Sequence, residues 1–351
     1  MRNNIYMDLH VIQTVPPSNI NRDDTGSPKT AQYGGVTRAR VSSQSWKKAM
    51  RDYFKAHEDV STLGIRTKKI VHSLAESIMA SDPSADESNA LKLAEEIFKA
   101  AKISTKDQEA KALFFLGGKQ LNKLASYAVE NSDDLQTKEV QRILNNNHSI
   151  DIALFGRMVA DAPELNVDAS SQVAHAISTH EIATEFDFYT ALDDLTPEDQ
   201  AGAGMLGTVE YNSSTLYRYA NVAVHELITQ LDDKNAAVET LKLYVKSFAL
   251  SLPTGKINTF ANQTLPNALI VSIRSDRPVN LVNAFENPVR TKGGYVTESI
   301  SRLEEEFEKV NRFTEVPIAT FTVGDIERIG ENKGDLSDLL EVLGDTIDRL
   351  L

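Results

Sequence analysis

The chain has 351 residues and a formal net charge of -13 at pH 7, with the 41% hydrophobic and 25% charged residues of an ordinary globular protein. It has no cysteine, which excludes disulfides, thiolate metal ligands and cysteine nucleophiles. No apolar run approaches the roughly 18 residues of a membrane span, and the first residues lack a signal-peptide pattern, so we expect a cytoplasmic protein without membrane association.

The first predicted element is a strand, because Ile5, Met7, Leu9 and Val11 are apolar at every second position. A long polar loop, 15–35, follows it. Loops of this length inside compact domains are usually functional or disordered. We therefore expect the loop to be either functional or disordered.

The segment 36–56 is the most basic part of the chain. It begins as a β-prone run and continues into a helix, with six basic residues against one acid, a net of +5. In the helix, Trp46, Ala49, Met50 and Tyr53 are spaced as a core-facing stripe, which leaves the basic side chains off that stripe. Such a surface on an acidic protein predicts a polyanionic partner.

Residues 66–147 have mostly helical periodicity and predict an α-helical insert between β-rich flanks, with 113–116 as one of its helical faces. Strand-like segments then return at 150–154, 173–182 and 208–224. An acidic, glycine-rich stretch, 193–207, is typical of a hairpin tip. Later in the chain, 268–273 is predicted to be a strand. Helices are predicted at 237–250, 299–313 and 336–350.

Two adjacent acids, Asp23 and Asp24, lie in the first long loop. Paired acids in loops are most often turn-formers and caps. Beside a polyanion-binding surface they could also hold a divalent metal ion for RNA cleavage. Both interpretations stay open on the sequence.

No strong catalytic motif accompanies these acids. The histidines His175, His180 and His225 lack metal-site or triad spacing, and the chain has neither a P-loop nor a nucleophile elbow. We therefore expect no enzyme activity, no metal and no cofactor.

Seven segments, taken in chain order, carry a family resemblance. They are NRDD (21–24), YGG with SSQSWKKAMR (33–51), SIDIALFGRM (149–158), QVAHAISTHEIATEFDFYTALDD (172–194), LGTVEYNSSTLYRYANV (206–222), PTGKINTF (253–260) and NAFE (283–286). Together they resemble the CasC backbone subunits of the type I-E CRISPR surveillance complex, Cascade. The helical insert and the acidic C-terminal part match only loosely.

The resemblance implies an α+β fold shaped like a hand. Its palm, similar to an RRM or ferredoxin-like sheet, would comprise 1–58 and 217–351, the latter with the C-terminal helices. Helical fingers would be inserted at 59–175, and 182–216 would form a long β-hairpin thumb.

The resemblance also implies a function without catalysis. Copies of the chain would assemble along a CRISPR RNA, displace nucleotides at intervals with their thumbs, and present the guide to target DNA, whose sequence the RNA reads. Other partners would be a large subunit, small subunits, a cap at the 5′ end of the guide and the guide-processing endonuclease. A protein-only filament, and an endonuclease using Asp23 or Asp24, are the alternatives.

The family pattern assigns site residues as well. In the basic segment, Lys47 and Arg51 lie one helical turn apart and can meet neighbouring phosphates, while hydroxyls and amides near the helix N-terminus can accept another. The full RNA-binding prediction is Arg22, Arg40, Ser42, Gln44, Ser45, Lys47, Lys48, Arg51, Met158 and Lys256. Ser43 as a simple N-cap, Lys48 as a solvated residue and Met158 as core filling remain open.

In the predicted thumb, Phe188, Tyr189 and Thr190 would press against the duplex. Adjacent aromatic residues on a strand point to opposite faces. One ring could therefore pack in the protein while the other stacks on a base.

Overall fold

A computed structural model describes residues 4–191 and 205–351. The strands in these ranges are β1 Tyr6–Ser18, β2 Thr30–Tyr33, β3 Val36–Val41, β4 Gly64–Thr67, β5 Thr105–Lys106, β6 Glu109–Ala110, β7 Phe114–Gly117, β8 Ser171–Val173, β9 Ala176–Ser178, β10 Glu185–Ala191, β11 Met205–Ala223, β12 Ala268–Arg274, β13 Ala319–Gly324 and β14 Glu331–Asn332. The helices are α1 Ser43–His57, α2 Ile70–Ser81, α3 Glu87–Ala100, α4 Gly118–Glu130, α5 Thr137–Leu144, α6 Ile150–Phe155, α7 Val224–Leu231, α8 Lys234–Leu250, α9 Ile257–Phe260, α10 Val296–Val310 and α11 Leu336–Leu350.

One large sheet organises the described chain, which confirms the α+β class. Its strand order is β14-β13-β12-β1-β11-β9-β3-β2, with β8 and β10 also paired to β11. The pairs are antiparallel except for β13 with β14, so the sheet is mixed. β1 and β11 form its centre, in register from Tyr6 opposite Ala223 to Thr14 opposite Thr215.

The N-terminal alternation forms strand β1 as predicted, but both of its faces are buried rather than one, because the sheet is covered on both sides and every residue of 7–13 is buried. Met7, Leu9 and Val11 pack under α1, α8 and α11, while Ile12 faces a second core beneath α10. Residues 70–165 enclose a separate hydrophobic core built mainly from α2, α3, α4 and α5. The predicted helical insert is therefore a body with its own apolar interior.

β11 is long enough to serve two parts of the molecule. Residues Met205 to Tyr211 pair with β10 as an exposed hairpin, and the remaining residues run through the centre of the large sheet. The predicted hairpin tip, 193–207, lies largely outside the described residues, which stop at 191 and resume at 205. One continuous strand, β11, thus links the hairpin to the large sheet.

Four other local predictions were wrong. The segment 150–154 is helix α6 rather than a strand; short apolar runs do not distinguish the two by periodicity. The face at 113–116 lies on strand β7, where Phe114, Phe115 and Leu116 are all buried and helical spacing is lost. In α1 the stripe ends on Phe54 rather than Tyr53, and the loop 15–35 contains β2 and the end of β1.

The hairpin of β2 and β3 is fastened to the loop at 283–286 by an unusually close backbone approach. Gly34 has φ +60°, and a Cβ there would lie 1.7 Å from the carbonyl oxygen of Glu286. The buried Arg38 donates to the carbonyl oxygens of Phe285 and Ser178 across the same junction.

The neighbouring glycine offers a matched test of this approach. Gly35 is also left-handed, at φ +77°, but a Cβ there meets nothing within 4 Å. Gly35→Ala is expected to lower the free energy of unfolding by about 1–2 kcal/mol, which is the cost of placing a side chain on left-handed backbone. Gly34→Ala is expected to lower it by a further ~2 kcal/mol, because the backbone at Glu286 must also move to make room for the Cβ. Urea unfolding of both variants measures the difference, and equal losses would contradict it.

Candidate nucleic-acid interface

Helix α1 begins at a well-defined cap. Ser42 has extended backbone, and its Oγ accepts a hydrogen bond from the amide of Ser45 at 3.3 Å. Its own amide donates to Asn21 Oδ1 at 2.8 Å, which fixes the first long loop to the helix start. The cap is therefore Ser42 rather than Ser43. The first turn carries no acid, so the positive end of the helix is not neutralised there.

A cleft of about 840 Å³ runs along α1 between the large sheet and the insert, and we call it the basic groove. Its α1 wall is formed by Gln44, Lys47, Lys48, Arg51, Asp52 and Lys55. Its opposite wall is formed by Arg66, Leu113, Phe115, 155–158 and 166–169. Six cations against the acids Asp52 and Asp168 line a concave surface of a protein that is acidic overall.

Lys47 is the central cation of the basic groove. Its side chain is half-buried, its Nζ lies 5.8 Å from the centroid of the Phe155 ring, and it makes no ion pair within the described residues. Burial lowers the pKa of its amine below the usual value. An anion in the groove would favour the charged form. Lys48 differs, because it is exposed and paired with Asp52 at 2.5 Å.

Arg51 joins α1 to the insert. Its Nε donates to Asp151 Oδ2 at 3.1 Å, its Nη2 donates to the Gly64 carbonyl at 3.3 Å, and its guanidinium lies 4.4 Å from the Phe115 ring centroid. Asp151 is 1% exposed and also accepts from the Gly64 amide and from Ser149 Oγ. Arg51 therefore fixes one wall of the basic groove to the other.

The opposite wall presents two large apolar side chains to solvent. Gly156, at φ +76°, ends α6, and the buried Arg157 donates to the carbonyls of Leu165 and Leu144; burial lowers the pKa of Arg157 to about 10. Met158, next in the chain, is 83% exposed, so core filling is not its role. Leu113 is 52% exposed on the same wall, a residue that the sequence analysis missed because it was assigned to a helix face.

The exposed hairpin presents aromatic rings on both faces, as alternation predicts. Phe188 lies opposite Thr208, and Phe186 lies opposite Glu210 on the same face; each is 66% exposed. Tyr189 is on the other face, across from Gly207, where a Cβ would come within 2.4 Å of its ring. Tyr189 thus packs on the hairpin, while the Phe188 ring is exposed to solvent. Phe186, which is equally exposed, was not among the predicted site residues.

A family model described as CT1975-like protein, of the Cas proteins, matches residues 7–347 of the chain. The chain belongs to the CT1975-like family.

Solved structures similar to this CT1975-like protein come from CRISPR assemblies. One, a chain of a "CRISPR RNA-guided surveillance complex, pre-nicking", has 29% sequence identity and a TM-score of 0.85 over 97% of this chain and 100% of that chain. Another, from a "CRISPR RNA-guided surveillance complex", has 26% identity and a TM-score of 0.75 over 97% of this chain and 99% of the other. No curated protein matches the chain.

The basic groove of this CT1975-like protein brings together Gln44, Lys47, Lys48, Arg51 and Met158 of the predicted RNA-binding set. Ser42 serves as the helix cap. Ser45 lines a second cleft of about 390 Å³ on the other side of α1, next to 250–255.

Three predicted residues lie elsewhere. Arg22 is exposed in the first long loop, and Arg40 donates to the Thr30 carbonyl at 3.0 Å and lies 3.2 Å from His175 Nδ1. Lys256 is exposed and left-handed, just before α9. These cations do not line the basic groove. Their contact with RNA stays a prediction.

Asp23 forms a turn in this CT1975-like protein. Its Oδ1 accepts hydrogen bonds from the Thr25 amide and hydroxyl and from the Ser27 amide. These bonds, above all that of the Thr25 hydroxyl, hold the pKa of Asp23 below its usual value. Within the described ranges, no group of three histidine or acidic residues is arranged to hold a metal ion. No helix there is long and apolar enough to cross a membrane.

Proposed function

We propose that the protein is a guide-RNA-binding backbone subunit of a type I-E CRISPR surveillance complex, similar to CasC. The observation that carries the proposal is the basic groove itself. A cleft lined by six cations in a chain of net charge -13 favours an anionic occupant of matching length.

Single-stranded RNA suits the groove better than a small anion. Its phosphates would follow the α1 wall, where Lys47, Lys48 and Lys55 are spaced along the helix. Its bases would lie against the exposed apolar surface of Leu113 and Met158. Such contacts bind backbone and shape, and leave the sequence of the guide free to pair with DNA.

The rest of the proposal extends the resemblance to assembly. Copies of the chain would line up along one guide, with the hairpin of β10 and β11 as the thumb, the large sheet as an RRM-like palm and the insert as fingers. The large and small subunits, a 5′-end cap and a guide-processing endonuclease would complete a cytoplasmic complex that pairs the guide with target DNA. The subunit itself would have no catalytic role; in support, Asp23, one of the two acids of the endonuclease alternative, accepts hydrogen bonds within its own turn.

Copurification tests this proposal. The protein is expressed with companion Cas subunits, with and without a repeat-spacer transcript, and purified without nuclease. We expect a large particle containing RNA of uniform length with repeat-derived ends. An RNA-free monomer, even when guide and partners are supplied, would overturn the proposal.

A further inference from the structure

Arg218 is a buried cation in the centre of the large sheet. It lies on β11, is 1% exposed, and has no carboxylate partner within the described residues. Burial lowers the pKa of its guanidinium to about 9. Because a charge taken out of water without an opposite charge is costly, other contacts must stabilise this arginine.

Those contacts join three elements. The guanidinium carbon lies 3.8 Å from the Trp46 ring centroid and 4.4 Å from that of Phe248, so the cation is held between two aromatic rings. Nη1 donates to Gln13 Oε1 at 2.5 Å on β1, and Nη2 donates to the Phe248 carbonyl in the last turn of α8. Carbonyls at a helix C-terminus lack helical partners and attract cations.

Trp46 connects this cluster to the basic groove. It lies at the start of α1, close to the Ser42 cap, and is 1% exposed. Gln44 and Lys47, two residues before it and one after it, line the groove. A shift of the α1 backbone at Trp46 would therefore change the direction in which both groove side chains point.

Arg218 also lies on the strand that forms the exposed hairpin. β11 carries hairpin residues at Met205–Tyr211 and Arg218 seven positions later, at the point where the strand passes beneath α1. The cluster thus fixes the start of α1 relative to the hairpin strand and to the end of α8.

We infer that Arg218 is a positioning residue: it holds the first turn of α1 against the sheet and so orients Gln44 and Lys47 toward RNA in the basic groove. The inference rests on the proposed function. It assigns Arg218 no contact with RNA, because the side chain is enclosed by Trp46, Phe248 and Gln13.

Arg218→Met tests the inference, because methionine is similar in length and adapts to irregular space, and an apolar replacement of a buried charge is often tolerated. Trp46 is the only tryptophan in the chain, so the wavelength of tryptophan emission and its quenching by acrylamide report directly on how the start of α1 packs against the sheet. We expect a shifted, more readily quenched emission and about tenfold weaker binding of a labelled single-stranded RNA. The slope of log affinity against log salt should fall by up to about 0.7, as for Lys47→Ala, because the contact of Lys47 with a phosphate is weakened.

Two further variants separate positioning from general destabilisation. Ile300→Ala opens the core beneath α10, on the opposite face of the sheet, and should lower stability without changing Trp46 emission or RNA affinity. Arg218→Lys keeps the charge but lacks the planar guanidinium that lies between the Trp46 and Phe248 rings, and should give an intermediate loss; it also serves if Arg218→Met does not fold.

Wild-type RNA affinity in a folded Arg218 variant, or an equal loss in Ile300→Ala, would overturn the inference. Failure of the wild-type protein to bind RNA would instead overturn the proposed function. The Trp46 measurement distinguishes the two cases because it needs no RNA.

Discussion

Lys47→Ala is expected to weaken binding of single-stranded RNA by about tenfold, with a fall of about 0.7 in the slope of log affinity against log salt. Lys47 is the half-buried cation at the centre of the basic groove and has no ion-pair partner within the described residues. Its amine is therefore available to a phosphate. Titration of a labelled RNA at several salt concentrations measures both quantities.

Two lysines provide controls for this result. Lys246→Ala removes an exposed charge of α8 that does not line the groove, and should change neither affinity nor slope. Lys48→Ala should cause a smaller loss than Lys47→Ala, because Lys48 already pairs with Asp52. If Lys47→Ala behaved like Lys246→Ala, RNA would not follow the α1 wall.

The sequence predicted the parts of the fold that local patterns determine. Alternation at 5–11 predicted the central strand, and apolar spacing in α1 identified Trp46 and Met50 as core residues. The segment 150–154 was assigned wrongly because five apolar and acidic residues fit either a strand or a helical turn. In the helix the carboxylate of Asp151 accepts hydrogen bonds from partners far away in sequence, which a local pattern does not contain.

The same limit applies to the site. Charge density alone predicted which helix would line a basic groove. It could not distinguish Lys47, which has no ion-pair partner among the residues that the structure describes, from Arg51, whose partner lies 100 residues away. Nor could it identify Arg218, since nothing in its neighbouring residues indicates burial between two aromatic rings. Leu113 and Phe186 were missed because exposure depends on how the insert and the hairpin are placed.

The pair of the partly buried Arg51 and the buried Asp151 should matter most for stability. Asp151→Ala is expected to lower the free energy of unfolding by about 3 kcal/mol, because it leaves a partly buried guanidinium without its carboxylate and the Gly64 amide without its acceptor. Asp52→Ala is the matched control: its pair with Lys48 is exposed and should contribute less than about 1 kcal/mol. Urea unfolding compares the two.

RNA binding by an Arg51 variant then separates its two possible roles. If Arg51 only joins α1 to the insert, Arg51→Gln lowers stability and affinity but leaves the salt slope unchanged, because no phosphate loses its counter-charge. If Arg51 also contacts a phosphate, the slope falls by about 0.7, as for Lys47→Ala. We expect the first result, since Asp151, Gly64 and the Phe115 ring already occupy the guanidinium. The second would restore Arg51 to the RNA-contacting set that the sequence predicted.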